Sequence, residues 1–156
     1  SETAEAEWAE FDLDAALWTI PARRMKARRE HVVPLPTQAV EMLRRLHAIS
    51  GERTHIFPGR DDRNRPMSVH SIRQALKVLG WSGTYSPHGT RTTGSTRLNE
   101  IGYRADAIEA QLAHAEPNSV RRTYNHATYL EERRDMMQAW ADKLEIWKRE
   151  AANDKG

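Results

Sequence analysis

The chain has 156 residues, with 24 Lys and Arg, 22 Asp and Glu and no Cys. Its longest uninterrupted apolar run is Ala15 to Trp18, far shorter than the about 20 residues of a membrane-spanning helix. These features argue against a membrane span, a cleaved secretory signal, a disulfide framework and a thiolate metal site. We expect one soluble domain, with a core large enough to fold without cross-links and no membrane partner.

The charges are distributed unevenly along the chain. Residues 1–14 carry six acids and no base, whereas residues 23–29 contain five bases. A net charge of +2 is too small to indicate a polyanionic partner by itself. A solvated loop explains such a basic run as readily as a binding surface does, so its meaning depends on its position in the fold.

The first elements predicted along the chain are strands. Leu17–Ile20 and residues 31–35 are short, β-rich runs on either side of the basic stretch, which predicts a hairpin with a long basic tip. Residues 11–13 are a candidate third strand. Pro34 lacks an N–H, so we expect it at a strand end or on an edge strand.

Helices follow. Thr37 is predicted to cap a helix that ends at Gly51, and Ser68 a second helix that ends at Gly80. Residues 81–87 are predicted to form a loop, and His88 to lie at the start of a helix that runs to about Glu100, where Gly94 indicates close packing.

Three more helical segments are predicted toward the end of the chain. Asp106 is expected to cap a short helix that reaches His114, residues 119–125 one or two turns, and residues 131–149 a final helix. Residues 151–156 are predicted to be a disordered tail. The fold class is therefore mainly α with a small antiparallel β-sheet (α+β).

No cofactor is predicted. The seven His form no HExxH pair or compact cluster, and the glycines match no phosphate-loop or dinucleotide-binding spacing. The remaining candidates form one ordered series: Lys26 on the hairpin tip, His88 and Arg91 at a helix start, His114, and Tyr124. A His and an Arg in the first turn of a helix favour an anion such as phosphate, because the helix dipole acts in the same sense.

This order resembles the tyrosine recombinase (phage integrase) family, whose signature contains Lys, His-x-x-Arg, a His or Trp, and Tyr. The segments Trp18-Thr19-Ile20-Pro21-Ala22, Val33-Pro34-Leu35 and Tyr129-Leu130-Glu131-Glu132-Arg133-Arg134 resemble integrases of prophages and genomic islands. The resemblance covers about residues 7–147. It implies a bacterial cytoplasmic protein that integrates and excises DNA, with double-stranded DNA and other protomers of a tetramer as partners.

The resemblance also implies catalytic roles. Tyr124 attacks a DNA phosphodiester to form a 3′-phosphotyrosyl link, and His88 is a candidate for the base that takes the phenol proton. Arg91 and His114 stabilise the charge on the phosphate oxygens, and Lys26 protonates the leaving 5′-oxygen. The bases expected to contact DNA phosphates are Arg23, Arg24, Arg28, Arg29, Arg97, Arg121 and Arg122.

In this family the first catalytic arginine normally lies just before an acidic helix start resembling Ser1-Glu2-Thr3. We therefore expect residues 1–150 to be a catalytic domain truncated on its N-terminal side, without that arginine and with impaired activity as a fragment. Tyr129 is the rival nucleophile, although its position at the start of an apolar stripe favours a core role.

Other functions remain open at this point. A phosphodiesterase without metal, in which Lys26, His88 and His114 act on RNA, would need no tyrosine nucleophile. A non-catalytic DNA-binding or assembly module would need no catalytic residue. A type IB topoisomerase would share the tyrosine chemistry.

Overall fold

A three-stranded antiparallel sheet begins the fold in the computed structural model, which describes residues 2–81, 83–113 and 129–154. The strands are β1 (Phe11–Asp12), β2 (Leu17–Ile20) and β3 (His31–Pro34), and β2 lies in the middle. Ile20 pairs with His31 next to the basic tip of the β2–β3 hairpin. The predicted hairpin and third strand are confirmed, and Pro34 ends an edge strand as expected.

Five helices lie in the described ranges: α1 (Thr37–Ser50), α2 (Val69–Val78), α3 (Pro87–Glu100), α4 (Ala105–Gln111) and α5 (Leu130–Asn153). Short 3₁₀ turns occupy Trp8–Glu10 and Ala22–Arg24. The predicted class, mainly helical with a small antiparallel sheet, is confirmed. None of the described helices is both long and apolar enough to cross a membrane.

The end of α2 shows how local sequence sets a helix boundary. Ser68 caps its start by accepting a hydrogen bond from the His70 amide, as predicted. At its end Gly80 adopts a φ of 82°, its amide donates to the Lys77 carbonyl, and the Trp81 amide donates to the Leu76 carbonyl. This pair of bonds is a Schellman motif, in which glycine takes the left-handed conformation at no steric cost.

Two predicted caps are wrong. Thr37 is the first helical residue of α1 rather than its cap, and its amide donates to the Gln138 side chain of α5 at 2.9 Å. A side chain distant in sequence therefore accepts the hydrogen bond of the first helical N–H group. The sequence around Thr37 does not indicate this contact. Asp106 lies inside the first turn of α4, after Arg104 at the N-cap, where its charge still favours the helix dipole.

The last helix is longer than predicted. α5 continues to Asn153, so the boundary of the expected tail at residue 151 is wrong. Ala151 and Ala152 have high helix propensity and extend the helix by about one turn. The predicted turns at residues 119–125 lie outside the described residues.

The core joins α3, α4 and α5. Leu98 of α3, Ala107 and Ile108 of α4 and Met136 of α5 form a buried cluster, with Tyr103, Leu112 and Trp140 packed against it. A Cβ on Gly94 of α3 would lie 3.9 Å from Trp140 Cζ2, which is an ordinary contact rather than the close approach expected there. This core holds the end of α3 against α4 and α5, and the candidate site forms where Arg91, near the start of α3, meets the end of α4.

The N-terminal residues pack against the loop that follows α1. Ala4 and Ala6 are almost fully buried, the Trp8 amide donates to the Thr54 carbonyl, and the Ile56 amide donates to the Ala6 carbonyl. The first residues therefore have a defined path, which leads Glu2 and Thr3 to the site.

Candidate active site

The tip of the β2–β3 hairpin has its own local structure. After Ile20 the chain makes the 3₁₀ turn Ala22–Arg24, and the Met25 amide donates to the Ala22 carbonyl. The side chain of Met25 is buried, whereas the next residue, Lys26, is exposed. Burial of Met25 anchors the tip of the hairpin next to Lys26.

The α3 helix supplies the second cation. Ser86 caps the helix by accepting a hydrogen bond from the Gly89 amide at 3.1 Å, and Pro87 occupies the first turn. His88 and Arg91 both lie in the first turns of α3 and are exposed. The prediction that His88 lies at the start of a helix is confirmed, and the start of a helix favours an anion.

Lys26 and Arg91 line one cavity of about 680 Å³. The wall also contains Glu2, His31, Gln111 and Ala113, which come from the N-terminal segment, β3, and the end of α4 and the residues after it. The cavity thus brings together the hairpin lysine and the helix-start arginine that the sequence series contains. His88 is not among the residues that line it.

Arg91 is held by the end of α4. Its Nη2 atom donates to the Leu112 carbonyl, which is one of the last carbonyls of that helix. A cation at a helix C-terminus is favoured by the dipole, and a guanidinium has five N–H donors, so one such bond fixes its orientation without exhausting its donors. The pKa of Glu2 lies below its ordinary value, chiefly through a backbone hydrogen bond, and the positive charge of Arg91 acts in the same direction.

Four of the predicted site residues lie outside the described residues: His114, Arg121, Arg122 and Tyr124. Ala113 immediately precedes His114 and belongs to the cavity wall. The described part of the chain before His114 therefore ends at the cavity wall.

The predicted phosphate contact of Arg24 does not fit its placement. Its guanidinium forms an ion pair with Glu10, and both side chains are at least nine-tenths buried. The Trp18 indole donates to the same carboxylate at 3.0 Å. Glu10 lies in the 3₁₀ turn Trp8–Glu10, outside the basic run of residues 23–29, so the sequence of that run does not indicate this ion pair.

The other predicted DNA contacts that the structure describes lie on the surface. Arg28 and Arg29 are exposed on the hairpin tip, and Arg23 has a loose pair with Glu7 at 3.5 Å. Arg97 of α3 pairs with Glu100 at 2.7 Å and lies over the Trp147 ring.

The rival tyrosine has a structural contact. Tyr129 is half-buried at the start of α5, where the Arg104 guanidinium lies 5.1 Å from its ring centroid and donates to its hydroxyl at 3.3 Å. This contact joins the two ends of the segment from residue 104 to residue 129. It favours a positioning role for Tyr129 over attack on a phosphate.

Sequence reasoning missed two residues of the cavity wall, His31 and Gln111, and a third, Arg133, that bonds to Gln111 from behind it. His31 is buried and its Nε2 lies 3.1 Å from the Gln111 carbonyl, while Arg133 is 1% exposed and donates to the Gln111 side chain. Arg133 is seven positions before Trp140, on the same helical stripe as Met136, so its burial was readable from helical spacing. Nothing in the local sequence indicated its partners.

The small sheet, the helical body and the cavity shared by a hairpin lysine and a helix-start arginine agree with the resemblance to tyrosine recombinases. A family model described as the phage integrase family matches residues 1–131. Prophage integrase IntA of Escherichia coli K12 is 49% identical over 142 residues, which are 91% of this chain and 34% of that protein. The integrase of Shigella phage Sf6 is 43% identical over 145 residues, 92% of this chain and 38% of its own length.

The chain belongs to the phage integrase family. A more distant relative is tyrosine recombinase XerC of Xylella fastidiosa, 28% identical over 135 residues, which are 83% of this chain and 44% of that protein. The chain spans about a third of the length of these two integrases. No solved structure gives a significant match.

Proposed function

We propose that this chain is the catalytic domain of a site-specific recombinase that breaks and rejoins double-stranded DNA through a 3′-phosphotyrosyl intermediate. The observation that carries the proposal is the cavity wall, which contains Lys26, Arg91 and the residue before His114. Cations from two separate elements converge there, as binding and polarisation of one phosphate requires.

In the proposed reaction the Tyr124 oxygen attacks the phosphorus and the bond to the 5′-oxygen breaks. The phenol has an ordinary pKa of about 10, so it needs a base, for which His88 is the candidate. The bond energy is kept in the phosphotyrosine, and the freed 5′-hydroxyl of another strand reverses the step without an external energy source.

Arg91 is proposed to bind the non-bridging oxygens, where a planar guanidinium supplies two parallel hydrogen bonds. Its bond to the Leu112 carbonyl holds it in place before DNA arrives, so little reorganisation is needed in the transition state. His114, two residues after Leu112, is proposed to donate a further hydrogen bond to the same oxygens.

Lys26 is the proposed general acid, which transfers a proton to the leaving 5′-oxygen. The family's first arginine is proposed to precede Ser1 in the natural polypeptide and to enter the same site. Glu2 and Thr3 line the cavity together with Arg91, so the N-terminal end of the described residues lies at the proposed site.

The proposed partners are double-stranded DNA and further protomers, in a tetramer at the recombination site in the bacterial cytoplasm. Arg23, Arg28 and Arg29 are proposed to contact phosphates from the hairpin and Arg97 from α3, and Arg121 and Arg122 are proposed as further phosphate contacts. Such contacts set affinity and its salt dependence but carry no sequence information.

A suicide DNA substrate tests the proposal, using the full natural polypeptide. Cleavage near a nick releases a short 5′-hydroxyl strand, so the protein stays covalently linked to DNA. We expect an adduct with the unmodified protein and with Tyr129→Phe, the matched control, and none with Tyr124→Phe. Retained adduct in Tyr124→Phe would contradict the assignment of the nucleophile.

Three further measurements on the same proteins separate the alternatives. RNA cleavage that persists in Tyr124→Phe would favour the phosphodiesterase, and salt-dependent binding without any adduct would favour the DNA-binding module. Relaxation of supercoiled DNA without strand exchange would favour a topoisomerase.

A further inference from the structure

Arg133 is a buried cation outside the cavity. It lies in the first turns of α5, is 1% exposed, and is among the largest fully buried side chains of the described residues. Burial lowers its pKa to about 10, so the side chain still carries its charge at neutral pH. A buried charge is costly unless each donor is directed at a defined acceptor.

The acceptors of Arg133 belong to two other elements. Its Nε atom donates to the Gln111 side-chain oxygen at 2.9 Å, and its Nη2 atom donates to the Val32 carbonyl at 2.5 Å. Gln111 is the last residue of α4 and Val32 lies in β3. One guanidinium therefore ties α5 to the end of α4 and to the hairpin.

A second contact strengthens the same junction. His31, next to Val32 in β3, has its Nε2 atom 3.1 Å from the Gln111 carbonyl. Gln111 is thus held through its side chain from α5 and through its backbone from β3. The neighbouring carbonyl of Leu112 accepts the bond from Arg91. Bonds from α5, β3 and α3 therefore hold the end of α4 and the residue that follows it.

These three elements are the ones that carry the proposed reacting groups. The β2–β3 hairpin carries Lys26, the end of α4 leads into His114, and α5 follows the segment that contains Tyr124. Arg133 lies on α5 nine positions after Tyr124 and contacts Gln111 three positions before His114. A change in its bonds would shift all three groups relative to one another.

We infer that Arg133 is a positioning residue for strand cleavage: by bonding Gln111 and Val32 it sets the register between the hairpin of Lys26 and the segment of His114 and Tyr124. The inference rests on the proposed function. An apolar side chain of similar volume would fill the same space but leave the Gln111 and Val32 oxygens without their donor, so its effect on stability is measured beside its effect on the rate. Only the directed bonds of the guanidinium define this register.

The test compares Arg133→Met with Met136→Ala in the full natural polypeptide. Both changes affect buried positions of α5, but Met136 belongs to the apolar core and makes no bond to α4 or β3 through a polar group. For each protein we would measure the melting temperature, the DNA dissociation constant, and the single-turnover rate of adduct formation on the suicide substrate. Rates are compared at a temperature at which circular dichroism shows every variant fully folded.

We expect Arg133→Met to bind DNA with nearly unchanged affinity and to cleave about tenfold to a hundredfold more slowly, because small misplacements of reacting groups cost rates of that order. Arg133→Lys, which offers a single nitrogen, should recover part of the rate. Met136→Ala should lower the melting temperature while its cleavage rate in the folded state stays within about twofold of the unmodified protein.

An Arg133→Met rate equal to that of the unmodified protein would overturn the inference, as would a loss no greater than that of Met136→Ala. Either result leaves the proposed function intact, because the unmodified protein forms its adduct in the same assay. Absence of an adduct in the unmodified protein would overturn both.

Discussion

Lys26 of the hairpin and Arg91 of α3 line the same cavity, although neither is near the other in sequence. The hairpin places Lys26 through the buried side chain of Met25, and the end of α4 holds Arg91 through the Leu112 carbonyl. Two independent structural constraints therefore define the position of the two cations. The mechanism depends on this convergence, because charge stabilisation and protonation must act on one phosphodiester.

The buried ion pair of Arg24 and Glu10 gives a prediction for stability. Arg24→Met would leave the Glu10 carboxylate buried without its cation and should lower the free energy of unfolding by about 3–5 kcal/mol. Denaturation by urea, followed by tryptophan fluorescence, measures the loss. The matched control is Arg23→Met, whose exposed side chain should contribute within about 0.5 kcal/mol. Equal effects of the two changes would show that Arg24 is not a structural residue.

Substitution of glycine by alanine is expected to have opposite effects on stability at two positions. Gly94→Ala in the middle of α3 should stabilise the chain by up to about 1 kcal/mol, because its Cβ would make only an ordinary contact with Trp140. Gly102→Ala should destabilise it by about 1 kcal/mol, because the φ of Gly102 is 95°. Urea midpoints of the two variants measure the difference. A loss of stability in Gly94→Ala would mean that α3 and α5 pack more tightly than described.

The exposed hairpin bases predict a salt effect. Arg29→Gln should weaken DNA binding about uniformly across sequences and reduce the slope of log K against log salt by about 0.9. Lys148→Gln, an exposed change near the end of α5, is the control and should leave the slope unchanged. Titrations at several salt concentrations measure both slopes. An unchanged slope in Arg29→Gln would remove the hairpin tip from the DNA interface.

Much of the fold follows from local sequence. The β-rich runs around the basic stretch specify the hairpin, and Ser68, Gly51 and Gly80 mark helix ends through side-chain and backbone chemistry that acts within a few residues. Residue type alone predicts caps at Thr37 and Asp106. Their helices begin elsewhere because Gln138 satisfies the start of α1 and Arg104 occupies the cap of α4.

The site was only partly predictable. The series from Lys26 to Arg91 was identified from residue type, order and family resemblance, and the structure brings these two residues to one cavity. The internal roles of Arg24 and Arg133 were missed because their partners are tertiary: Glu10 lies on an earlier element, and Gln111 and Val32 lie on two different ones. A basic residue is normally exposed, and although helical spacing places Arg133 on the stripe of Met136, only its contacts show what its buried charge does.

Replacing the 5′-bridging oxygen of the scissile phosphate by sulfur tests the central claim, that Lys26 and Arg91 act on one phosphodiester. A thiolate leaves without a proton, since thiols ionise near pH 8.5. Lys26→Ala should cleave the ordinary substrate at least about 10²-fold more slowly than the unmodified protein and the sulfur substrate at nearly the same rate. Arg91→Ala should be impaired on both, by about 10²-fold or more. If Lys26→Ala were equally impaired on the two substrates, or unimpaired on the ordinary one, the assignment of Lys26 to the leaving group would be contradicted.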